Sequence, residues 1–231
     1  MSTVYEIAAR LPDPAELRVH LRGLAVLEAA IGDEPRFHRY TFDADWGPGE
    51  EAALMENGSG DDFSVVFTPA GVLIRGFAHE SEMSPYGTDD EQAWPGVIDE
   101  VPAALRPVLE EPAFRDEGID VLRVTVCLWR ETDDTAWRTG SAIAFPSGDD
   151  PDGSGLLFAL LADRSPEAAQ AHFEDYYERP LPLDAIHHVL TGHPLTSAIA
   201  TALNPAAHPE AASYLAGDAG ISTSHAPTQL N

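Results

Sequence analysis

Two apolar runs, Phe63-Ser64-Val65-Val66-Phe67 and Val72-Leu73-Ile74-Arg75-Gly76-Phe77, are separated only by Thr68-Pro69-Ala70-Gly71. A four-residue link with Pro and Gly reverses the chain but is far too short for a parallel crossover, so the runs must form an antiparallel hairpin. Antiparallel pairing sets Asp62 near Phe77. Whatever precedes the first run then meets whatever follows the second at one end of the hairpin.

A second hairpin is predicted from residues 121–129, where Val124, Val126 and Leu128 alternate with Arg123, Thr125 and Cys127. It turns at Thr132-Asp133-Asp134-Thr135 and returns over residues 137–145, with Trp129 and Trp137 packing across it. Alternation at Phe37, Tyr40 and Phe42 predicts a further strand over residues 36–42, followed by a loop at Gly47-Pro48-Gly49. Between the hairpins, the Pro-rich acidic stretch 80–118 reads as a long loop wrapping the sheet, with a short helix around residues 103–109.

Helix signals lie outside this region. Asp13-Pro14-Ala15-Glu16 supplies a cap, a first-position proline and a glutamate three residues on; Leu17, Leu21, Leu24 and Ile31 follow near helical spacing, predicting a helix over 14–31. A C-terminal helical group is expected from residues 156–162 (as helix or last strand), a helix capped at Ser165, and helices over 183–190 and 196–203. The fold class is therefore α+β: an antiparallel sheet of about five strands covered by an N-terminal helix and a C-terminal helical group. Residues 1–205 read as one domain, sheet-rich over 36–145 and helical over 154–205, with a loose tail from 206 to 231.

Charge narrows the functions open to such a domain. The 231 residues hold 39 acids against 13 basic residues, a formal net charge of −26, and every basic residue is arginine. The magnitude far exceeds the roughly 2–8 usual for a small domain. Such a field repels nucleic acid and anionic lipid and favours a basic protein partner, although a high-GC genome or a halophilic host produces the same excess. Residues 1–40 carry six acids and five arginines, whereas residues 41–62 carry seven acids and no arginine. With no lysine there is no Schiff-base or phosphate-loop lysine. The lone Cys127 excludes an intramolecular disulfide framework, no apolar run approaches the roughly 18 residues of a membrane span, and residues 1–11 show no signal-peptide pattern. A cytoplasmic protein without membrane, metal or cofactor is the simplest expectation.

The densest polar segment, His79-Glu80-Ser81-Glu82-Met83-Ser84-Pro85, leaves the first hairpin directly. His79 beside Glu80 and Glu82 could act as a general base, with Asp61 and Asp62 brought in from the other strand, or it could satisfy backbone groups of the loop. In extended chain His79 and Ser81 share one face and Glu80 and Glu82 the other, which disfavours metal ligation. Asn57-Gly58-Ser59-Gly60 reads as a turn rather than a phosphate loop. Asp150-Pro151-Asp152-Gly153 lacks both anchoring ligands of a calcium loop and reads as an acidic surface turn. His187, His188 and His193 are not spaced to share a helix face and read as surface or capping residues; Cys127 reads as an inert buried thiol.

Six blocks, Asn57-Gly58-Ser59-Gly60-Asp61, 77–86 (Phe-Ala-His-Glu-Ser-Glu-Met-Ser-Pro-Tyr), Trp94-Pro95-Gly96-Val97, Glu111-Pro112-Ala113-Phe114, Cys127-Leu128-Trp129-Arg130 and Asp175-Tyr176-Tyr177-Glu178, resemble those of a widespread, functionally uncharacterised bacterial family. The resemblance covers residues 36–205. It implies a cytoplasmic bacterial origin, and it assigns neither an activity nor site residues. Two functions are open at this point. One is an acidic binding or regulatory protein for a basic partner, as an immunity protein would be; the other is a hydrolase-type enzyme or ligand-binding protein using the loop around His79.

Overall fold

The computed structural model describes residues 2–87, 91–116, 118 and 120–206. The first hairpin forms as β3 (Asp62–Thr68) and β4 (Gly71–Phe77), with Asp62 opposite Phe77. Thr68 Oγ1 pins its turn, accepting from Ala70 N–H and donating to Gly71 C=O, both at 3.1 Å. Gly71 has φ +147°, and a Cβ there would stand 2.4 Å from the Arg130 carbonyl oxygen, so the turn and the neighbouring strand both require glycine.

These strands are the centre of an open five-stranded antiparallel sheet ordered β1-β2-β3-β4-β5, with β1 Tyr40–Gly47, β2 Glu50–Glu56 and β5 Val126–Glu131. The expected number of strands is present, but two assignments change. Residues Pro35–Phe37 form a turn of 3-10 helix, and the strand begins at Tyr40. Gly47-Pro48-Gly49 is the turn into β2, whose sequence Glu-Glu-Ala-Ala-Leu-Met-Glu has no β-branched residue and favours helix locally. Pairing on both sides, with β1 and β3, makes it a strand.

The return strand predicted over 137–145 does not form; Arg138 alone bridges Trp129, exchanging backbone bonds of 2.8 and 2.9 Å. This register places Trp137 beside the residue bridged to Trp129, and side chains alternate, so the two indoles leave opposite faces. Trp137 Nε1 donates to Pro12 C=O at 2.6 Å in the helix layer, while Trp129 packs in the other layer. The expected Trp129–Trp137 packing is therefore absent.

Both sheet faces are covered, which explains why β3 and β4 read as continuous apolar runs. Phe63, Val65, Ile74 and Leu128 face helices; Val66, Leu73, Cys127 and Trp129 face the wrapping segment through Met83, Val97, Leu105 and Phe114. The short helix of that segment is α3 (Arg106–Leu109). Burial pushes the Cys127 thiol up to about 12 against the opposing charge of Arg75, which makes it inert.

On the helix face, α2 (Pro14–Ile31) has the predicted bounds, with Asp13 accepting from Ala15 N–H and Glu16 N–H at 2.9 and 3.0 Å. The C-terminal group comprises α4 (Ser154–Leu157), α5 (Ala159–Ala162), α6 (Pro166–Tyr177), α7 (Leu183–Leu190) and α8 (Ser197–Leu203), with Ser165 capping α6 and Thr196 capping α8. A further helix, α1 (Val4–Arg10), was not anticipated because its cap comes from far along the chain. Asp152 Oδ2 accepts from Val4 N–H at 2.8 Å, and its Oδ1 accepts from Ser154 N–H at 3.0 Å. Asp152 is thus a buried double cap and not part of a surface turn; burial raises its carboxyl pKa against those hydrogen bonds. The tail expected beyond residue 206 lies outside the described residues. No helix among the described residues is long and apolar enough to cross a membrane.

His20 of α2 is buried, and its ring bonds the Leu160 carbonyl at 2.8 Å. Burial lowers its pKa to about 4, overcoming the carbonyl bond. The unfolded chain therefore binds the proton first, and stability should fall as pH drops from about 6.5 toward about 4. Urea unfolding across that window should show a shallower acid limb for His20→Gln than for the parent; superimposed limbs would refute the assignment.

Candidate functional site

The hairpin register brings the Asn57–Asp62 turn against the exit of β4. Asp61 is the hub: Oδ1 accepts from His79 N–H at 2.9 Å and contacts His79 Nδ1 at 2.8 Å, while Oδ2 accepts from Asn57 Nδ2 at 2.7 Å. Asn57 Oδ1 in turn accepts from Ser59 N–H and Asp61 N–H at 2.8 and 3.2 Å. Gly60, at φ +102°, lets the backbone pass beneath the imidazole, since a Cβ there would lie 3.1 Å from His79 Cγ. Desolvation works to raise the Asp61 pKa, but the bonds from His79 and Asn57 outweigh it and hold the carboxyl below its usual range.

With Nδ1–H donated to Asp61, His79 presents Nε2 outward on a side chain 42% exposed. Residues beyond it are not extended: Ser81 N–H donates to Ala78 C=O at 3.1 Å and Ser84 N–H to Ser81 C=O at 2.9 Å. The face alternation expected of extended chain therefore does not apply, and Glu80 Oε1 stands 3.8 Å from His79 Nε2. Glu82 is exposed. The nearest hydroxyl in sequence, that of Ser81, donates to Pro151 C=O at 2.6 Å and accepts from Met83 N–H at 3.0 Å. The arrangement leaves Nε2 facing solvent, and its bonds tie one loop to another.

Asp62 belongs elsewhere. It is buried against Arg75, whose guanidinium also donates to Arg123 C=O at 2.5 Å and to Ser64 Oγ at 3.3 Å beneath the Phe114 ring. The histidines near the C-terminus behave differently from their helical spacing. The chain leaves α7 at Leu190 and folds back at Gly192, φ +77°, so the His188 and His193 rings stand 5.0 Å apart. Among the described residues, no group of three or more His, Cys, Asp or Glu is placed to hold a metal.

Sequence reasoning missed a cluster around Glu28. This residue is fully buried in α2; its Oε1 accepts from the Tyr177 hydroxyl of α6, while its Oε2, among the described residues, lies near the Arg39 and Tyr40 backbone without a hydrogen-bond partner. Burial raises its pKa against these surroundings. Tyr177 is raised by desolvation and by Glu28; burial lowers the neighbouring His38 and His172. Tyr177 also lines an open cleft of about 520 Å³ with Gly32, Asp33, Phe37 and Arg179. The signal was present: Glu28 occupies the same helical stripe as Leu17, Leu21, Leu24 and Ile31, where a carboxylate has to find partners. No protein-family model, curated protein or solved structure matches this chain.

Proposed function

We propose that this protein is an acidic binding or regulatory protein for a basic partner protein, of the kind an immunity protein represents, in the bacterial cytoplasm that the sequence resemblance implies. The observation that carries this reading is the internal use of its cations. Arg18, Arg36, Arg115, Arg138 and Arg164 are each held by carboxylates of the same chain, and Arg75 is buried. The field offered to a partner is that of the surplus acids. Such a field speeds the encounter with a cationic surface and makes binding salt-sensitive. A second reading, hydrolase-type chemistry or ligand binding at His79, rests on the imidazole that Asp61 orients with Nε2 toward solvent.

Affinity capture from a bacterial lysate at about 50 mM and about 300 mM salt tests the main reading. The expected result is a basic protein recovered at 1:1 stoichiometry in low salt and released in high salt. Recovery of the same mixture that a charge-matched unrelated acidic protein retains would overturn it.

A further inference from the structure

Strand β1 is the first in the sheet order, and no described strand pairs with its far side. The opposite end differs, because β5 is bridged there by Arg138. The Arg39 carbonyl accepts from Glu56 N–H at 3.0 Å. Antiparallel alternation then turns the backbone groups of Thr41 and Asp43 toward β2, and those of Tyr40 and Phe42 toward the open side. Glu28 of α2 lies near the Tyr40 backbone, so the edge opens at Phe42 and runs into the bulge between Asp43 and Gly47.

Beside that opening lies an apolar groove. The Phe42 ring lines a cavity of about 340 Å³ together with Val19, Val26, Val189 and Leu195, and Arg22 stands over the ring at 5.4 Å. Val19 is 46% exposed. On the other face of the same strand, Asp43 is half-buried and Asp45 exposed, within the segment 41–62 that contains seven acids and no arginine. The edge therefore offers main-chain pairing, an apolar slot on one face and negative charge on the other.

We propose that the β1 edge binds an extended basic segment of the partner by strand addition. An apolar side chain of the segment occupies the groove beside Phe42, and alternate Lys or Arg side chains face Asp43 and Asp45. The inference rests on the basic-partner reading above and gives it a location. Charge chooses the occupant: two β1 edges brought together would set Asp against Asp, which disfavours self-pairing, whereas a basic strand gains from the same residues.

The probe is a labelled heptapeptide alternating Lys and Val, with a second peptide of identical charge N-methylated at alternate amides. Fluorescence anisotropy at low salt should show the first binding at least about tenfold more tightly than the second, and Asp43→Lys with Asp45→Lys should weaken it by a similar factor. Amide hydrogen exchange at Phe42 and Ala44 should slow on binding. Equal affinity for both peptides, or protection located away from β1, overturns strand addition while leaving the acidic-partner reading intact. Failure of both peptides and of polylysine to bind overturns the two together. The N-methyl comparison needs no variant, so a misfolded double mutant does not spoil the test.

Discussion

Asp62→Ala should lower the free energy of unfolding by about 3–5 kcal/mol, read from urea melts at neutral pH. Arg75 is 2% exposed and Asp62 5% exposed, so removing the carboxylate strands a buried guanidinium. Its remaining partners, the Arg123 carbonyl, Ser64 Oγ and the face of Phe114, are neutral. Arg123, whose Nη2 lies 3.5 Å from Asp62 Oδ2, would add a second uncompensated charge. The matching control is Asp62→Ala combined with Arg75→Met. Replacing both partners removes the stranded charge, so the double variant should recover much of the loss. A loss below about 1 kcal/mol in the single variant would show that the guanidinium reaches water, contrary to its burial here.

Glu28→Ala is the second large effect, with an expected loss of about 3 kcal/mol. The substitution leaves the Tyr177 hydroxyl without its acceptor in the interior, at a cost of about 1–3 kcal/mol, and opens a cavity where the buried side chain stood. Glu28→Gln separates charge from shape. Because burial raises the Glu28 pKa, the native state holds its proton at a pH where the unfolded chain has lost it. The parent's stability should therefore fall as pH rises from about 4.5 toward the folded-state value and then level off, a component that Glu28→Gln lacks. Parallel stability–pH curves for the two proteins would contradict the raised pKa. His20, two turns earlier in α2, titrates with the opposite sign, so the two variants are distinguishable in the same series of melts.

Asp61 and His79 were foreseeable as neighbours from register alone, since a hairpin with Asp62 opposite Phe77 leaves their residues facing across its open end. Their division of labour was not foreseeable. Asp62 points into the interior toward Arg75, and Asp61 stays at the surface with His79, because adjacent side chains of a strand leave opposite faces and only the wrapping segment determines which face is dry. Glu28 had a legible oddity, a carboxylate on an apolar stripe, yet its hydrogen-bond partner, Tyr177, comes from α6, 149 residues away.

By itself the sequence determined what acts over a few residues: the α2, α6 and α8 helices through their caps, α7 through its apolar period, the β3–β4 hairpin through its turn, and the acidic field through composition. Those devices close within about four residues, so no distant partner can overrule them cheaply. The tertiary structure decided what local preference left open. It made a strand of the helix-prone β2, ended the second hairpin after one bridge, started α1 on a cap from Asp152, and sent Trp129 and Trp137 into different layers. For α1 and for Trp137 the deciding bond joins residues more than 100 apart, Asp152 to Val4 and Trp137 to Pro12, and for β2 pairing on both sides outweighs a local propensity of a few tenths of a kcal/mol per residue.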